Sequence, residues 1–506
     1  MANTDATLQQ DLDALDDLEM HLYAHRYATS GITSYGSTID PPKATADRGR
    51  ALAVLQQESQ ERLCDPAVSE LLKRLEAHAD ELDADHAAQV RILARDRSIL
   101  VDIPPAEQAK LVELTTEAEH VWRKAKAADD WASFEPYLDR VVDVMRHFSE
   151  LRSPGADPYD AWLDYFEHGT NQQFYDTFFS QVKDCVVPLL AEVVACGRQP
   201  SRACIEGSFD RAAQWSLARD VAKLEGLDLG ALWISSTEHP FTDGLTSNYV
   251  IITGHVHEDD VISNVYSILH EGGHGLYEQG VRASYNYTSL KGGTSSAMHE
   301  GQSRFFENYV GRSETFAAPL LEALRGRFPR QFAGVTPHEL YLACNRVEPS
   351  LIRTEADELT YPLHIVIRYE IEQLLINGEA TAADVPGLWA DRYRSYLGID
   401  VPTNTEGALQ DTHWASGLLG YFPTYALGNA FGAQLLDAMV AAGVDFDGAC
   451  ASGDLAPVRD WLRTNIWQYG RAKDSDELIA GACGGPFDAG HYTRYLERKF
   501  RGIYGL

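Results

Sequence analysis

Residues 259–280, DDVISNVYSILHEGGHGLYEQG, carry two histidines, His270 and His274, four positions apart. On an α-helix, side chains at i and i+4 lie on the same face, so the two imidazoles can bind one metal ion. Glu271 directly follows the first histidine, which lets its carboxylate reach a water on the metal without being a ligand itself. The stretch therefore predicts a helix that carries a metal site.

The residues around this motif indicate a buried helix. Asp259 or Asp260 can cap its start, and Gly280 can end it. Its apolar face is formed by Val261, Ile262, Val265, Ile268 and Leu269. Gly272 and Gly273 each cost about 1 kcal/mol relative to alanine inside a helix. We therefore expect that something approaches the helix backbone closely at these glycines.

A catalytic zinc site usually has three protein ligands and an open fourth position. The third ligand is not the last histidine of the longer HExxHxxGxxH pattern, because Tyr277 and Gly280 occupy the positions of its glycine and third histidine. Glu300, in the phrase HEGQS at residues 299–303, is the downstream candidate. Zinc suits such a set, and cobalt and manganese accept the same ligands. We expect one divalent metal ion per chain.

Three further phrases follow downstream. Residues 352–358 read IRTEADE, residues 407–414 read GALQDTHW, and residues 420–428 read GYFPTYALG. Together with HExxH and HEGQS, and in this order, they resemble the carboxypeptidase Taq family of metallocarboxypeptidases, whose motifs include IRxxAD and GxxQDxHW. The likeness is strong over roughly the last half of the chain and looser before it.

The resemblance implies a mostly helical fold with a deep groove, assembled as a homodimer. It implies that His270, His274 and Glu300 bind the metal and that Glu271 is the general base. The implied activity is metal-dependent hydrolysis of the C-terminal peptide bond of peptide substrates, with broad specificity.

For the terminal carboxylate of the substrate, the resemblance points to Arg353. A guanidinium suits this role because it forms two parallel charge-assisted hydrogen bonds. The alternative is a structural salt bridge with Glu355 or Asp357. His413 is expected to hydrogen-bond the developing oxyanion or the substrate carbonyl, or else to be a core histidine beside Trp414.

Several other polar residues carry weaker expectations. Gln410 and Tyr421 are further candidates for substrate binding, and His299 is expected to orient its neighbours. The histidines expected to be structural or exposed are His255, His257 and His364.

The chain departs from the family on the β-rich run YVIIT at residues 249–253. The family usually has DxRxT there, so Tyr249 replaces its aspartate and Ile251 replaces an arginine thought to help hold substrate. Gly301 also stands where serine is common. These changes leave the metal chemistry intact but concern the recognition of the C-terminal end.

Two alternatives to a broad carboxypeptidase remain open. One is a related dipeptidase or oligopeptidase with altered C-terminal recognition, motivated by Ile251. The other is an inactive, metal-stabilised binding protein. The intact Glu271 speaks against the latter, because a structural metal site has no need of a general base.

Helical periodicity dominates the rest of the chain. Leu12, Leu15, Leu18 and Leu22 recur at steps of three and four, and residues 51–63, 68–82, 105–126 and 136–151 show similar patterns. Loops are predicted at residues 153–157 and 197–200, and a small sheet beside the site at residues 235–255. We expect a mainly α single domain over residues 1–506, with a helical N-terminal half (1–230) and a metal-site half (231–506).

The composition excludes several classes of partner. The 506 residues include 75 acidic and 43 basic side chains, for a formal net charge of −32. This charge argues against nucleic acid and anionic membranes as partners. Only 10 of the basic residues are lysines, which fits either a protein kept soluble at high salt or an ordinary acidic cytosolic protein.

The cysteines and the N-terminus bear on location. The seven cysteines are widely spaced without a CxxC pair, which indicates buried free thiols and suits a reducing compartment. The N-terminus is acidic and polar, unlike a signal peptide, and no run of 18 apolar residues occurs. We expect a soluble, cytoplasmic protein.

Overall fold

The computed structural model describes residues 2–38, 41–237 and 240–506. Its helices are α1 (Ala2–Thr38), α2 (Thr45–Cys64), α3 (Pro66–Ala77), α4 (Ala84–Val101), α5 (Pro105–Ala128), α6 (Trp131–Arg152), α7 (Pro158–Phe166), α8 (Gln172–Ala195), α9 (Arg211–Glu225), α10 (Val261–Gly280), α11 (Ser296–Arg304), α12 (Ala317–Arg327), α13 (Pro337–Cys344), α14 (Tyr361–Asn377), α15 (Val385–Arg392), α16 (Phe422–Ala441), α17 (Phe446–Ser452), α18 (Ala456–Asn465), α19 (Ser475–Cys483) and α20 (Gly490–Tyr504). The prediction of a mainly helical fold is confirmed.

The helices predicted from periodicity lie in α1, α2, α3, α5 and α6. Leu15 and Leu18 of α1 pack into one apolar cluster with leucines of α3, as the leucine spacing predicts. The predicted segment 68–82 is too long, because α3 ends at Ala77 and a short 3₁₀ helix, Ala79–Glu81, follows. Asp83 then caps α4 by accepting the backbone N–H groups of residues 85 and 86.

Three strands form the small sheet: β1 (Leu232–Ser236), β2 (Thr242–Thr246) and β3 (Tyr249–Gly254). The central strand is β3, which pairs in parallel with β1 and antiparallel with β2. The predicted β-rich run forms this central strand, so the predicted sheet is confirmed. Glu238 and His239, within the predicted sheet region, lie outside the described residues.

The two faces of the sheet have different neighbours. Val250 and Ile252 face α10, because a Cβ added at Gly275 would meet both side chains at 3.4–3.5 Å. Ile251 points to the opposite face, in register with Trp233 and Asp243, and is 1% exposed. The position where the family usually carries arginine therefore faces away from the HExxH helix.

The chain divides into two compact units, each built from three segments. Unit 1 comprises Met1–Val101, Cys204–Leu340 and Ala438–Gly485, and contains the sheet, α10 and α11. Unit 2 comprises Asp102–Ala203, Tyr341–Asp437 and Pro486–Leu506, and contains the phrases IRTEADE and GALQDTHW. Neither unit coincides with the predicted halves 1–230 and 231–506. The single peptidase domain over residues 1–506 stays a prediction.

Among the described residues, no single helix has the length and apolar composition of a membrane span, and only the bent pair α16 with α17 meets that test jointly. All seven cysteines are free thiols, as predicted, but only Cys344 and Cys450 are buried; the other five are half-buried, so the prediction that the thiols are buried is wrong for them.

Close packing explains the glycines of α10. A Cβ at Gly272 would overlap the carboxyl group of Glu225 in α9, and a Cβ at Gly273 would lie 2.5 Å from the carbonyl oxygen of Gln302 in α11. The expected close approach is therefore made by two neighbouring helices. Gly280 is the last residue of α10, but its Cβ would lie 2.6 Å from the Trp467 ring. Gly280 is thus explained by packing, since it is not in the left-handed conformation of a glycine cap.

Gly273→Ala should lower the free energy of unfolding by about 1–3 kcal/mol, because its methyl group would force the backbones of α10 and α11 apart. Urea denaturation measures this loss. The matched control is Gly326→Ala in α12, where no described atom lies within 4 Å of the added Cβ. This control should be neutral or stabilising by up to about 1 kcal/mol. Equal stabilities for the two variants would contradict the packing argument.

Candidate metal centre and active site

Two helices of unit 1 bring the predicted metal ligands together. Asp260 caps α10 by accepting the N–H groups of residues 262 and 263, and the helix presents His270 and His274 on one face. Glu300 lies on α11. Its Oε2 is 3.8 Å from Nε2 of His270 and 3.7 Å from Nε2 of His274. The three residues form a group able to hold one metal ion.

The hydrogen bonds of His270 show that this group suits a cation. Its Nδ1 lies 2.9 Å from Oε2 of Glu307, and the pKa of Glu307 is lowered because Arg304 and His270 outweigh the effect of burial. An ionised carboxylate only accepts, so Nδ1 of His270 donates to Glu307, and Nε2 is the nitrogen that faces Glu300 and would bind a metal ion. Ligand atoms bound tetrahedrally to zinc at about 2.1 Å lie roughly 3.4 Å apart. The observed 3.7 and 3.8 Å separations fit a divalent ion with small adjustments.

Arg304 orients the carboxylate of Glu300, the candidate ligand. Its Nε donates to Oε1 of Glu300 at 2.8 Å, and its Nη1 donates to Oε2 of Glu307 at 2.9 Å. Glu300 therefore directs its other oxygen, Oε2, towards the histidines. Arg304 ends α11, and Glu307 lies in the π-helix Phe305–Gly311 that continues it. One helical segment thus supplies the candidate ligand Glu300, Arg304, which orients it, and Glu307, which hydrogen-bonds to His270.

The protonation preferences of the two histidines differ. Burial lowers the pKa of His270, but Glu300 and Glu307 outweigh burial and raise it above its usual value. Burial, assisted by His299, holds the pKa of His274 well below its usual value. A dication at this place would take over the role of the proton on His270, since metal ligation needs the neutral imidazole.

Glu271 lies beside the candidate metal ligands and is not part of that group. Thr242 of β2 contacts this residue twice, with its hydroxyl 2.7 Å from Oε2 and 2.9 Å from the backbone carbonyl oxygen. Burial raises the pKa of Glu271 and outweighs His270 and the hydrogen bond from Thr242, which both act to lower it. A raised pKa makes the carboxylate a stronger base, which suits proton transfer near neutral pH.

Unit 2 holds the residues predicted to bind substrate. Arg353 is paired with Asp411, whose Oδ1 accepts from its Nε at 3.1 Å and its Nη2 at 2.9 Å. The predicted alternative partners are wrong, because Asp357 accepts backbone N–H groups of its own loop and Glu355 is exposed. Arg368 occupies the other oxygen of Asp411. Two guanidinium groups therefore share one carboxylate.

Gln410 connects the two arginines. Its Oε1 accepts from the backbone N–H of Arg353 at 2.9 Å and from Nη2 of Arg368 at 2.8 Å. Its Nε2 donates to the carbonyl oxygens of Leu351 and Glu406. Both acceptor and both donor positions are used within the chain, which gives Gln410 a structural role here.

His413 and Tyr421 lie together in an aromatic cluster. The ring of His413 is 4.3 Å from that of Phe422 and 6.0 Å from that of Tyr421, and its Nε2 is 3.3 Å from the hydroxyl of Tyr425. Burial, with Arg353, lowers the pKa of His413 to about 4. The imidazole is therefore neutral at physiological pH, so any contact with substrate uses a neutral N–H group.

Comparison with known proteins decides the family. A sequence model of the carboxypeptidase Taq (M32) metallopeptidases matches residues 20–500. This chain belongs to the carboxypeptidase Taq family. Over 92% of its length it is 34% identical to carboxypeptidase 1 of Bacillus subtilis, of which 93% is covered. It is also 34% identical to thermostable carboxypeptidase 1 of Thermus thermophilus, over 92% of this chain and 94% of that protein.

Solved structures of carboxypeptidase Taq enzymes share the fold. The crystal structure of the M32 carboxypeptidase from Deinococcus radiodurans aligns with a TM-score of 0.94 and 33% identity, over 98% of this chain and all of that one. The protein is a metallocarboxypeptidase, and the resemblance drawn from its motifs is confirmed. Family membership together with the His270, His274 and Glu300 group implies a divalent metal ion.

Sequence reasoning did not single out four residues of these sites: Thr242, Arg304, Glu307 and Arg368. Arg304 and Glu307 follow Glu300 by four and seven residues, so helical spacing alone places them on its face. Thr242 contacts Glu271, 29 residues away in sequence, and Arg368 contacts Asp411, 43 residues away. Only the tertiary fold reveals such partners.

Glu300→Ala should lower the zinc content of the reconstituted protein well below one ion per chain, because two histidines alone bind zinc weakly. Elemental analysis after removal of loosely bound metal measures the content. The matched control is Glu322→Ala, which removes an exposed glutamate paired with Arg325 in α12 and should leave zinc content unchanged. A fully loaded Glu300→Ala protein would remove Glu300 from the ligands.

Proposed function

We propose that this metallocarboxypeptidase removes single residues from the C-termini of peptides with broad specificity, using zinc and Glu271 as general base. The observation that carries the proposal is the convergence of His270, His274 and Glu300 in unit 1, with Glu271 held beside them by Thr242. Cobalt and manganese accept the same ligands and are the alternatives to zinc.

Each residue of this group has one chemical task. A divalent ion, when bound, supplies Lewis-acid chemistry that activates water and polarises the scissile carbonyl. Glu271 accepts the proton of the attacking water and passes it to the leaving amine. Thr242 keeps one oxygen of Glu271 in place during this transfer, and Arg304 keeps Glu300 directed at the histidines. His413, as a neutral donor, is the proposed partner of a substrate carbonyl or oxyanion.

The charge of the arginine cluster supports carboxylate binding in unit 2. Arg353 and Arg368 share the single charge of Asp411, so the group carries one excess positive charge. The side chain of Arg368 is fully buried, whereas that of Arg353 is 9% exposed. The hydrogen bonds of Arg353 use three of its five N–H groups. Arg353 is therefore the proposed anchor of the terminal carboxylate, and Tyr421 is proposed to line the same subsite.

The position of Ile251 is compatible with an intact metal centre. Its side chain lies on the sheet face opposite α10, so the loss of an arginine there leaves the metal ligands and Glu271 undisturbed. Mass spectrometry of the products of the zinc-loaded chain tests the proposed activity. A peptide with a free C-terminus should shorten one residue at a time. Release of dipeptides or internal fragments would contradict the proposal.

We further propose a homodimer in the cytoplasm, with peptides as substrates. The seven free thiols support a reducing compartment, and the net charge of −32 supports neither nucleic acid nor an anionic membrane as partner. Light scattering of the full chain should give twice the mass of one chain. A monomeric mass would contradict the dimer.

Glu271→Gln should retain zinc and lose about 10²–10⁴-fold in kcat, because the amide cannot accept the proton of water. Elemental analysis and peptide turnover measure both properties on the same sample. Glu258→Gln, at an exposed glutamate just before α10, is the matched control and should be fully active. A zinc-loaded Glu271→Gln enzyme with normal turnover would refute the assigned role.

Arg353→Met should lower kcat/KM on peptides with a free C-terminus at least about ten-fold, corresponding to about 1.4 kcal/mol or more. The fold should persist, because Asp411 keeps its bonds to Arg368. The decisive measurement is the ratio of kcat/KM on free and amidated peptides.

The matched control for this arginine is Arg346→Met, which removes a half-buried arginine that pairs with Glu348. The ratio of kcat/KM on free and amidated peptides should be the same in Arg346→Met as in the wild type. If Arg353→Met also leaves the ratio unchanged, another group holds the carboxylate.

A further inference from the structure

The two histidine ligands differ in what supports their Nδ1 atoms. His270 faces the carboxylate of Glu307 directly. His274 instead faces another imidazole, with its Nδ1 2.7 Å from Nδ1 of His299. On its other side, Nε2 of His299 lies 2.9 Å from Oε1 of Glu278. A line of side chains therefore leads from the ligand His274 through His299 to a buried carboxylate.

Lys291 ends this line. Its ammonium group donates to Oε2 and to the backbone carbonyl oxygen of Glu278, and its side chain is 2% exposed. Burial opposes the ionisation of Glu278, but Lys291 and His299 lower the pKa of Glu278 to about 2. Glu278 is therefore a carboxylate that only accepts hydrogen bonds.

When His274 is a metal ligand, the geometry gives each hydrogen bond in this line one direction. Ligation through Nε2 of His274 needs the lone pair of that nitrogen, so His274 carries its proton on Nδ1. This N–H faces Nδ1 of His299, which accepts from it. Nε2 of His299 then donates to the carboxylate of Glu278. The reverse arrangement would place a proton on Nε2 of His274 and block ligation.

Packing keeps the middle of the line in one orientation. A Cβ at Gly293 would lie 2.5 Å from Cδ2 of His299 and 2.7 Å from the ring of Tyr277. The Tyr277 and His299 rings are 5.1 Å apart. The His299 ring is thus confined between the backbone of Gly293 and an aromatic side chain, and it cannot turn away from His274 without moving one of them.

We infer that His299, Glu278 and Lys291 form a relay that positions His274 as an Nε2 ligand and so raises the affinity of the site for its metal. His299, Glu278 and Lys291 are positioning residues, because they act on the metal only through His274. The inference rests on the proposed function in one respect, namely that His270, His274 and Glu300 bind the metal.

The experiment measures the dissociation constant of zinc for the full chain by competition with a chelator, without substrate. His299→Leu removes both hydrogen bonds and should raise the dissociation constant about 10- to 100-fold, the usual effect of losing the support of a histidine ligand. His299→Gln is the rescue variant, because its amide oxygen can accept from His274 while its NH₂ group donates to Glu278. It should bind zinc within a few-fold of the wild type.

Two further variants distinguish loss of the relay from a general loss of protein stability as the cause of weaker zinc binding. His338→Leu removes an exposed histidine paired with Glu314 and should leave the dissociation constant unchanged. Glu278→Gln should raise it, because an amide can donate to His299 and reverse the relay. If His299→Leu does not fold, Glu278→Gln takes its place in the comparison.

The zinc dissociation constants of these variants have four distinguishable outcomes. Weak zinc binding by His299→Leu and Glu278→Gln, with recovery in His299→Gln, supports the relay. Equal dissociation constants for wild type and His299→Leu overturn the relay and leave the metal site intact. Equal losses in His299→Leu and His299→Gln overturn it too, since the direction of the hydrogen bonds would then be irrelevant. A wild-type chain that binds no zinc overturns both the relay and the proposed metal site.

Discussion

The contact between the backbones of α10 and α11 at Gly273 is the constraint on which the metal site depends. A Cβ at this position would lie 2.5 Å from the carbonyl oxygen of Gln302 and 2.7 Å from Cα of Ser303. Because Gly273 has no side chain to hold the two helices apart, Oε2 of Glu300 lies 3.8 Å from Nε2 of His270 and 3.7 Å from Nε2 of His274. The distance between the axes of packed helices varies over about 8–10 Å with the side chains at the contact. A larger residue at position 273 would widen this spacing and separate the carboxylate from the imidazoles.

Local sequence predicted the parts of the protein that depend on short spacings. The i and i+4 histidines, the cap at Asp260 and the amphipathic leucines of α1 all obey helical periodicity, and the structure agrees with each. The two glycines of α10 were also informative, since their cost inside a helix indicated a close approach. Their partners, Glu225 and Gln302, could not be inferred, because local sequence patterns do not reveal which helices become neighbours.

Charge pairing was the property that sequence predicted least well. Arg353 was expected either to bind substrate or to pair with an acid two or four residues away, and its partner is Asp411, 58 residues downstream. Asp411 belongs to the phrase GALQDTHW at residues 407–414, but that phrase alone does not indicate that it pairs with Arg353. Buried charges need partners wherever the fold can supply them, so the pairing of such arginines is decided by tertiary structure. The same reason explains why Thr242 and Arg368 were missed.

The interleaved segments of unit 1 have a consequence for how the protein is made. The ring of Trp467 packs on Gly280 at the end of α10, and its Nε1 donates to Oε1 of Gln302 in α11. At a synthesis rate of about 5–20 residues per second, Trp467 leaves the ribosome roughly 10–40 s after Gly280. The histidines and Glu300 are thus synthesised well before the indole that packs against both of their helices. The packing of these two helices, and with it the final geometry of His270, His274 and Glu300, is therefore completed only after Trp467 has emerged.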